Sequence, residues 1–176
     1  METYTDLKEL VENPSFHEQR ERILTGLGDD MIDAPIVDLV KALNGLPHCF
    51  TLQCCHGHFV HSNQQDPHNL DPLPVTDTID RVEYRIAYLA LCIENSLQGR
   101  ALMETLGEIT AFDPENFQFF CAEWFWERQV NSYALQVMPH RFRDLDSTVL
   151  SYEEALLIEK LRYAFFQRLR KAFLNT

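Results

Sequence analysis

A chain of 176 residues, 45% hydrophobic and 24% charged, has the composition of one globular domain and enough apolar surface for a substantial core. Its formal charge of −12 argues against non-specific nucleic-acid binding, which depends on neutralising phosphates with Lys and Arg. No apolar run approaches the roughly 20 residues of a membrane-spanning helix, and the first residues lack the basic-then-apolar order of a secretory signal.

The five cysteines are odd in number and include an adjacent pair. Without a signal they read as reduced thiols, not a disulfide framework, which points to the cytoplasm.

In chain order, residues 1–30 read as a peripheral helical segment. Leu7, Leu10 and Val11 are helically spaced up to Asn13-Pro14, and a charged second helix runs from Phe16 to Leu24 before Gly26 and Gly28. Residues 33–44 carry stronger signals. Asp33 is placed as an N-cap with Pro35 in the first turn, and Ile36, Leu39, Val40 and Leu43 share one face. Asn44-Gly45 supplies the stop.

The next stretch, Leu46 to His61, concentrates the reactive chemistry. It holds three of the cysteines and four of the seven histidines. Phe50, Thr51 and Leu52 start it as a strand, whose side chains alternate faces. A strand continued through the cluster places His48, Cys54, His56 and His58 on one side and Cys55, Phe59 and His61 on the other. Gly57 argues instead for a strand that ends near Cys55, with His56-Gly57-His58 turning at its end. Imidazole and thiolate suit zinc or a similar divalent metal, so Cys54, His56, His58 and His61 are the candidate metal ligands. Cys55, His56 and His58 are the candidate catalytic groups, with imidazole as general base. The plainer alternative is cysteine used as a small core residue beside solvated loop histidines. The spacing matches no closed zinc framework.

Residues 62–79 have loop composition, with Pro67, Pro72 and Pro74, and carry His68 close behind the cluster. Arg81 to Ile93 reads as a second strand, apolar on both faces in its second half, and Arg85 on it is a candidate anion ligand. Ser96 caps a helix to Gly107. Phe117–Glu127 and Asn131–Met138 read as a hairpin with an aromatic first arm. Glu123 among those aromatics is a candidate ligand-binding carboxylate, because a buried charge needs a partner. His140 and Arg141, in the basic cluster that follows, are candidates to bind a carboxylate or phosphate. Ser151 and Glu154 form a capping box for the last helix, whose stripe is Leu157, Leu161, Ala164, Phe165, Leu169, Ala172 and Phe173.

These elements predict a single α+β domain over 1–176, with a mainly antiparallel four-stranded sheet covered by helices. The glycine-rich phosphate loops and the serine-hydrolase and zinc-protease motifs are missing.

Residues 36–60 resemble the opening of the wybutosine-synthesis methyltransferase family, which modifies a tRNA guanosine derivative with S-adenosylmethionine. There, a helix with Asn near its end leads to a strand and a Thr-x-Ser-Cys-Ser-Gly-Arg-like run. Here the order is Leu43-Asn44-Gly45-Leu46-Pro47, Phe50-Thr51, then Gln53-Cys54-Cys55-His56-Gly57-His58. A set of small bacterial proteins with a Ser-Cys-x-Gly-His-like run after an Asn-x-Leu-Pro turn is more similar. Gln53 and Cys55 stand in place of serines, and His58 in place of Arg. The resemblance implies that Cys55, Gly57 and His58 occupy a functional loop, in a methyltransferase-like protein that modifies tRNA.

Three expectations follow. The first is a domain that binds a small molecule or metal through the Cys/His cluster, with or without catalysis. The second is a non-catalytic protein that uses its aromatic hairpin and last helix as a homodimer or partner interface. The third is the tRNA-modifying activity implied by the resemblance.

Overall fold

The two long strand runs of the sequence each break in the middle, and the breaks create a second sheet. The structure, a computed structural model, describes residues 4–174. Its strands are β1 (Tyr4–Thr5), β2 (Cys49–Cys55), β3 (His58–His61), β4 (Arg81–Arg85), β5 (Ala87–Ile93), β6 (Phe117–Ala122), β7 (Ser132–Val137) and β8 (Ser147–Ser151). Its α-helices are α1 (Phe16–Gly26), α2 (Val37–Gly45), α3 (Leu97–Thr110), α4 (Glu123–Arg128) and α5 (Tyr152–Phe173). The strands form an antiparallel five-stranded sheet, ordered β1-β6-β7-β5-β2, and an antiparallel three-stranded sheet, ordered β3-β4-β8. The mixed α+β expectation holds, but the single four-stranded sheet is corrected to five plus three strands. Among the described residues, no helix is long and apolar enough to cross a membrane.

The breaks have local causes. Between β2 and β3 the chain turns at His56-Gly57, where Gly57 has φ +87°. A Cβ at Gly57 would lie 2.9 Å from the Ala87 Cβ and 3.0 Å from the Ala87 amide nitrogen. Glycine is required there twice, by conformation and by the approach of the partner strand. Ile86 breaks the other run, between β4 and β5, and its amide leaves the ladder to bond Asp146 O at 3.1 Å. The buried Tyr84 hydroxyl accepts from the Ala87 amide (2.9 Å) and donates to Val137 O (2.8 Å). It thereby pairs backbone groups at the bend that burial would otherwise leave costly. A hairpin pair thus passes from one sheet into the other at a bend, a known way for strands to switch sheets.

Other boundaries shift. The expected helix around Leu7–Val11 is absent, and residues 6–13 run without regular structure. The Asn131 side chain, in a residue with φ 61°, holds that segment by bonding both the amide and the carbonyl of Val11 at 2.9 and 2.8 Å. The aromatic arm is a strand only to Ala122, after which Glu123-Trp124-Phe125-Trp126 coil into α4. Ser96 and Ser151 cap α3 and α5 as expected, accepting from Gly99 and Glu154 amides at 3.1 and 3.2 Å. The buried face of α5 is Ala155, Ile158, Arg162, Phe165, Phe166 and Leu169, packed against α2, α3, β4, β7 and β8. Leu157, placed on the stripe by spacing, is 52% exposed.

Candidate functional site

Where the two sheets part, a cleft of about 680 Å³ opens. Two cross-strand rungs border it. In the larger sheet Cys55 lies opposite Tyr88, and Tyr88 opposite Gln136. In the smaller, His58 lies opposite Arg85, and Arg85 opposite Ser147. Residues directly opposite in an antiparallel pair share a face, and all six line the cleft. The turn at Gly57 therefore brings Cys55 and His58 to the same space, which unbroken alternation would have denied them.

Asp33 joins them. One oxygen of Asp33, the Cys55 sulfur and one His58 nitrogen all lie within 4.8 Å of one another. Asp33 was placed as a helix cap, but it makes no capping bond. Pro35 removes one of the amides such a cap would bond, and a 3-10 turn, Ala34–Ile36, follows. Its carboxylate turns instead to the cluster, where Oδ2 accepts the His56 amide at 2.7 Å and faces His58 Nε2 at 3.4 Å.

His58 is 5% exposed, and its Nδ1 sits 3.1 Å from Asn69 O. A carbonyl only accepts, so Nδ1 carries a proton and Nε2 is the atom turned towards Asp33. The Gly57 amide donates to Cys55 Sγ at 3.3 Å.

The electrostatics follow from this geometry. Burial alone would raise the Asp33 carboxyl, but the bonds from His58 and from the His56 amide outweigh it and hold it at about 2. The Asp33 carboxylate, then Cys55, raise His58 to about 10 against its burial. Burial opposes both shifts, but it is the largest single influence on Asp33, whereas on His58 it ranks behind the bonds with Asp33 and Cys55.

The remaining sequence candidates separate. Cys54 lines the cleft but is not among the converging donors, and burial pushes its thiol up to about 11. His56 turns away from His58. Its ring stacks on Phe166, centroids 5.3 Å apart, and burial, then the nearby Arg162 charge, lowers it to about 4. It borders a second cavity, with Arg162 and Phe166, and its buried Nδ1 has no hydrogen-bond partner among the described residues. His61, three residues along β3 from His58, faces the other way and is buried, with Nδ1 accepting from the Asn63 amide at 3.4 Å.

Arg85 reaches the cleft and pairs with Glu83 at 3.3 Å. Glu123 is exposed at the start of α4, outside the cleft, so the burial that argued for it is corrected. His140 is exposed and accepts from Arg143 at 3.0 Å, while Arg141 pairs with Glu154. Neither lines the cleft. Arg143 does, its guanidinium 4.5 Å from the centre of the Tyr4 ring.

Sequence reading thus missed Asp33 and Arg143. Asp33 sits 22 residues before Cys55 by number, and only its unsuitability as a cap ahead of Ala-Pro gave a local signal. Comparison of the chain with protein-family models, with curated proteins and with solved structures found no match.

Proposed function

We propose that this protein binds a divalent cation, zinc by its donor chemistry, through Asp33, Cys55 and His58, and presents it to a small molecule in the cleft. The observation that carries the reading is the convergence of one oxygen, one sulfur and one nitrogen donor within 4.8 Å. Nitrogen, thiolate and carboxylate are the donors zinc takes. Ligating histidines generally bond a backbone carbonyl or carboxylate through the other ring nitrogen, as His58 Nδ1 does with Asn69 O. Three protein ligands leave a position for water or substrate, the pattern of catalytic sites. The cleft volume of about 680 Å³ falls within the range of small-molecule pockets.

The interaction-protein reading has less support. Of the residues it relies on, Phe117, Phe120, Phe165 and Leu169 are buried within the chain, and Phe119, Trp124, Phe125 and Trp126 are half-buried against it.

The test is a zinc titration of protein stripped of metal and free of affinity histidines. Wild type should take up one equivalent. Asp33→Ala and Cys55→Ser should each weaken uptake by at least about tenfold, and Glu123→Ala should bind as wild type does. A wild type that takes up no zinc overturns the reading.

A further inference from the structure

The loop between β3 and β4 brings a second imidazole to the three-donor group. Pro67 and His68 line the cleft, and the His68 side chain is exposed. Its ring lies edge-on to His58, centroids 5.9 Å apart at 80°, and neither ring nitrogen makes a hydrogen bond among the described residues. The backbone around it is set locally, for the His68 amide donates to Asp66 Oδ1 at 2.9 Å and the Asn69 amide to Asp66 O at 3.2 Å. The next carbonyl, Asn69 O, is the one that bonds His58 Nδ1. His68 is therefore adjacent in sequence to the group that orients His58.

The distances decide whether this neighbour is within reach. Two imidazoles on one tetrahedral zinc, each with Zn–N about 2.0–2.1 Å, have ring centres roughly 5 Å apart. The observed 5.9 Å exceeds that by about an ångström, a gap that rotation of an exposed side chain can close. Charge is consistent too. Asp33 carboxylate and Cys55 thiolate neutralise a divalent ion, so a fourth ligand that is itself neutral leaves a partly buried site uncharged, whereas hydroxide would not.

We propose that His68 is the fourth ligand, and that its coordination fastens the loop of residues 62–80 over the cleft. This rests on the metal reading above. A small molecule that binds the ion directly must then displace His68, and the loop becomes the gate to the site.

The experiment compares wild type, His68→Ala and Asp33→Ala, using zinc and cobalt(II) as the probes. Zinc affinity is read by chelator competition, coordination number by the cobalt visible spectrum, and loop ordering by hydrogen exchange over residues 62–80. Wild type should give the intense visible bands of four-coordinate cobalt and slower exchange in the loop on adding zinc. His68→Ala should bind zinc at least about tenfold more weakly, give a changed cobalt spectrum and show no loop protection. If His68→Ala matches wild type in affinity and protection while Asp33→Ala has lost binding, the fourth ligand is wrong and the three-residue centre stands. If wild type binds neither ion, both fall.

Discussion

At the scale of single residues, the Asp33–His58 pair makes stability depend on pH in two windows. His58 is raised from 6.5 to about 10. Its stabilisation of the metal-free fold is complete below the unfolded value and fades as pH rises through the folded one. Asp33 is lowered from 3.8 to about 2, so its contribution is present above 3.8 and is lost as pH falls through 2. Both describe one contact and are counted once. Denaturation midpoints of metal-free wild type and Asp33→Asn should differ most between about pH 4 and 6.5 and converge towards pH 10. A difference that stays constant from pH 6 to 10 would show that the two groups do not form an ion pair. Of this constellation the sequence disclosed Cys55 and His58 through their clustering. Asp33 reads as a helix cap; the Ala-Pro that follows it argues against that role, but nothing local shows that its carboxylate closes a site from 22 residues away.

At the scale of elements, the stripe read on α5 is partly its buried face: Phe165 and Leu169 are buried and Leu161 and Phe173 pack against the core, but Leu157 is exposed. The 3.6-residue repeat was plain, and Ser151 caps the helix as expected, while the Glu154 side chain, expected to complete the capping box, pairs with Arg141. The buried face, however, is centred on Arg162, 7% exposed, which a search for apolar residues passes over. Its guanidinium donates to Gly57 O at 2.6 Å and stands 4.9 Å from the centre of the Phe59 ring. A long charged side chain on the inner face thus satisfies the carbonyl of the turn that places the site residues. The phase is testable by substitution. Leu157→Asp, on the outer face, should cost less than about 0.5 kcal/mol. Phe165→Ala, fully buried between Phe117 and Phe166, should cost about 3–5 kcal/mol. Urea denaturation of the two variants gives both values, and a Leu157→Asp protein as damaged as Phe165→Ala would show that Leu157 belongs to the buried face.

At the scale of the molecule, α1, α2, α3, α5 and the core strands were legible because their periodicity is local, whereas the helix expected around Leu7–Val11 is absent and α4 reads as strand in the sequence. The second sheet was not. β8, Ser-Thr-Val-Leu-Ser, is short and leads straight into the α5 cap; the turn at His56-Gly57 was signalled by its glycine, but Ile86 looks like any apolar residue within one strand. Pairing across the chain, between β4 and β8, is what separates the sheets, and no local pattern announces it.

That separation has a mechanical consequence. Cys55 belongs to one sheet and His58 to the other, with two residues between them, so the gap between sulfur and nitrogen is a gauge of the angle between the sheets. An ion held by both would act as a rivet across a joint where the hydrogen-bond ladder is interrupted, and would stiffen regions far from itself. A ligand confined to the folded state adds about 2.7 kcal/mol when present at 100 times its dissociation constant. Zinc at that excess should therefore raise the thermal midpoint of wild type clearly more than that of Cys55→Ser in a differential scanning experiment. It should also slow hydrogen exchange at the Ile86 and Ala87 amides, which lie at the joint itself, where β4 of one sheet passes into β5 of the other. Stabilisation without that slowing would mean that the ion grips one sheet only, and that the joint stays free to flex.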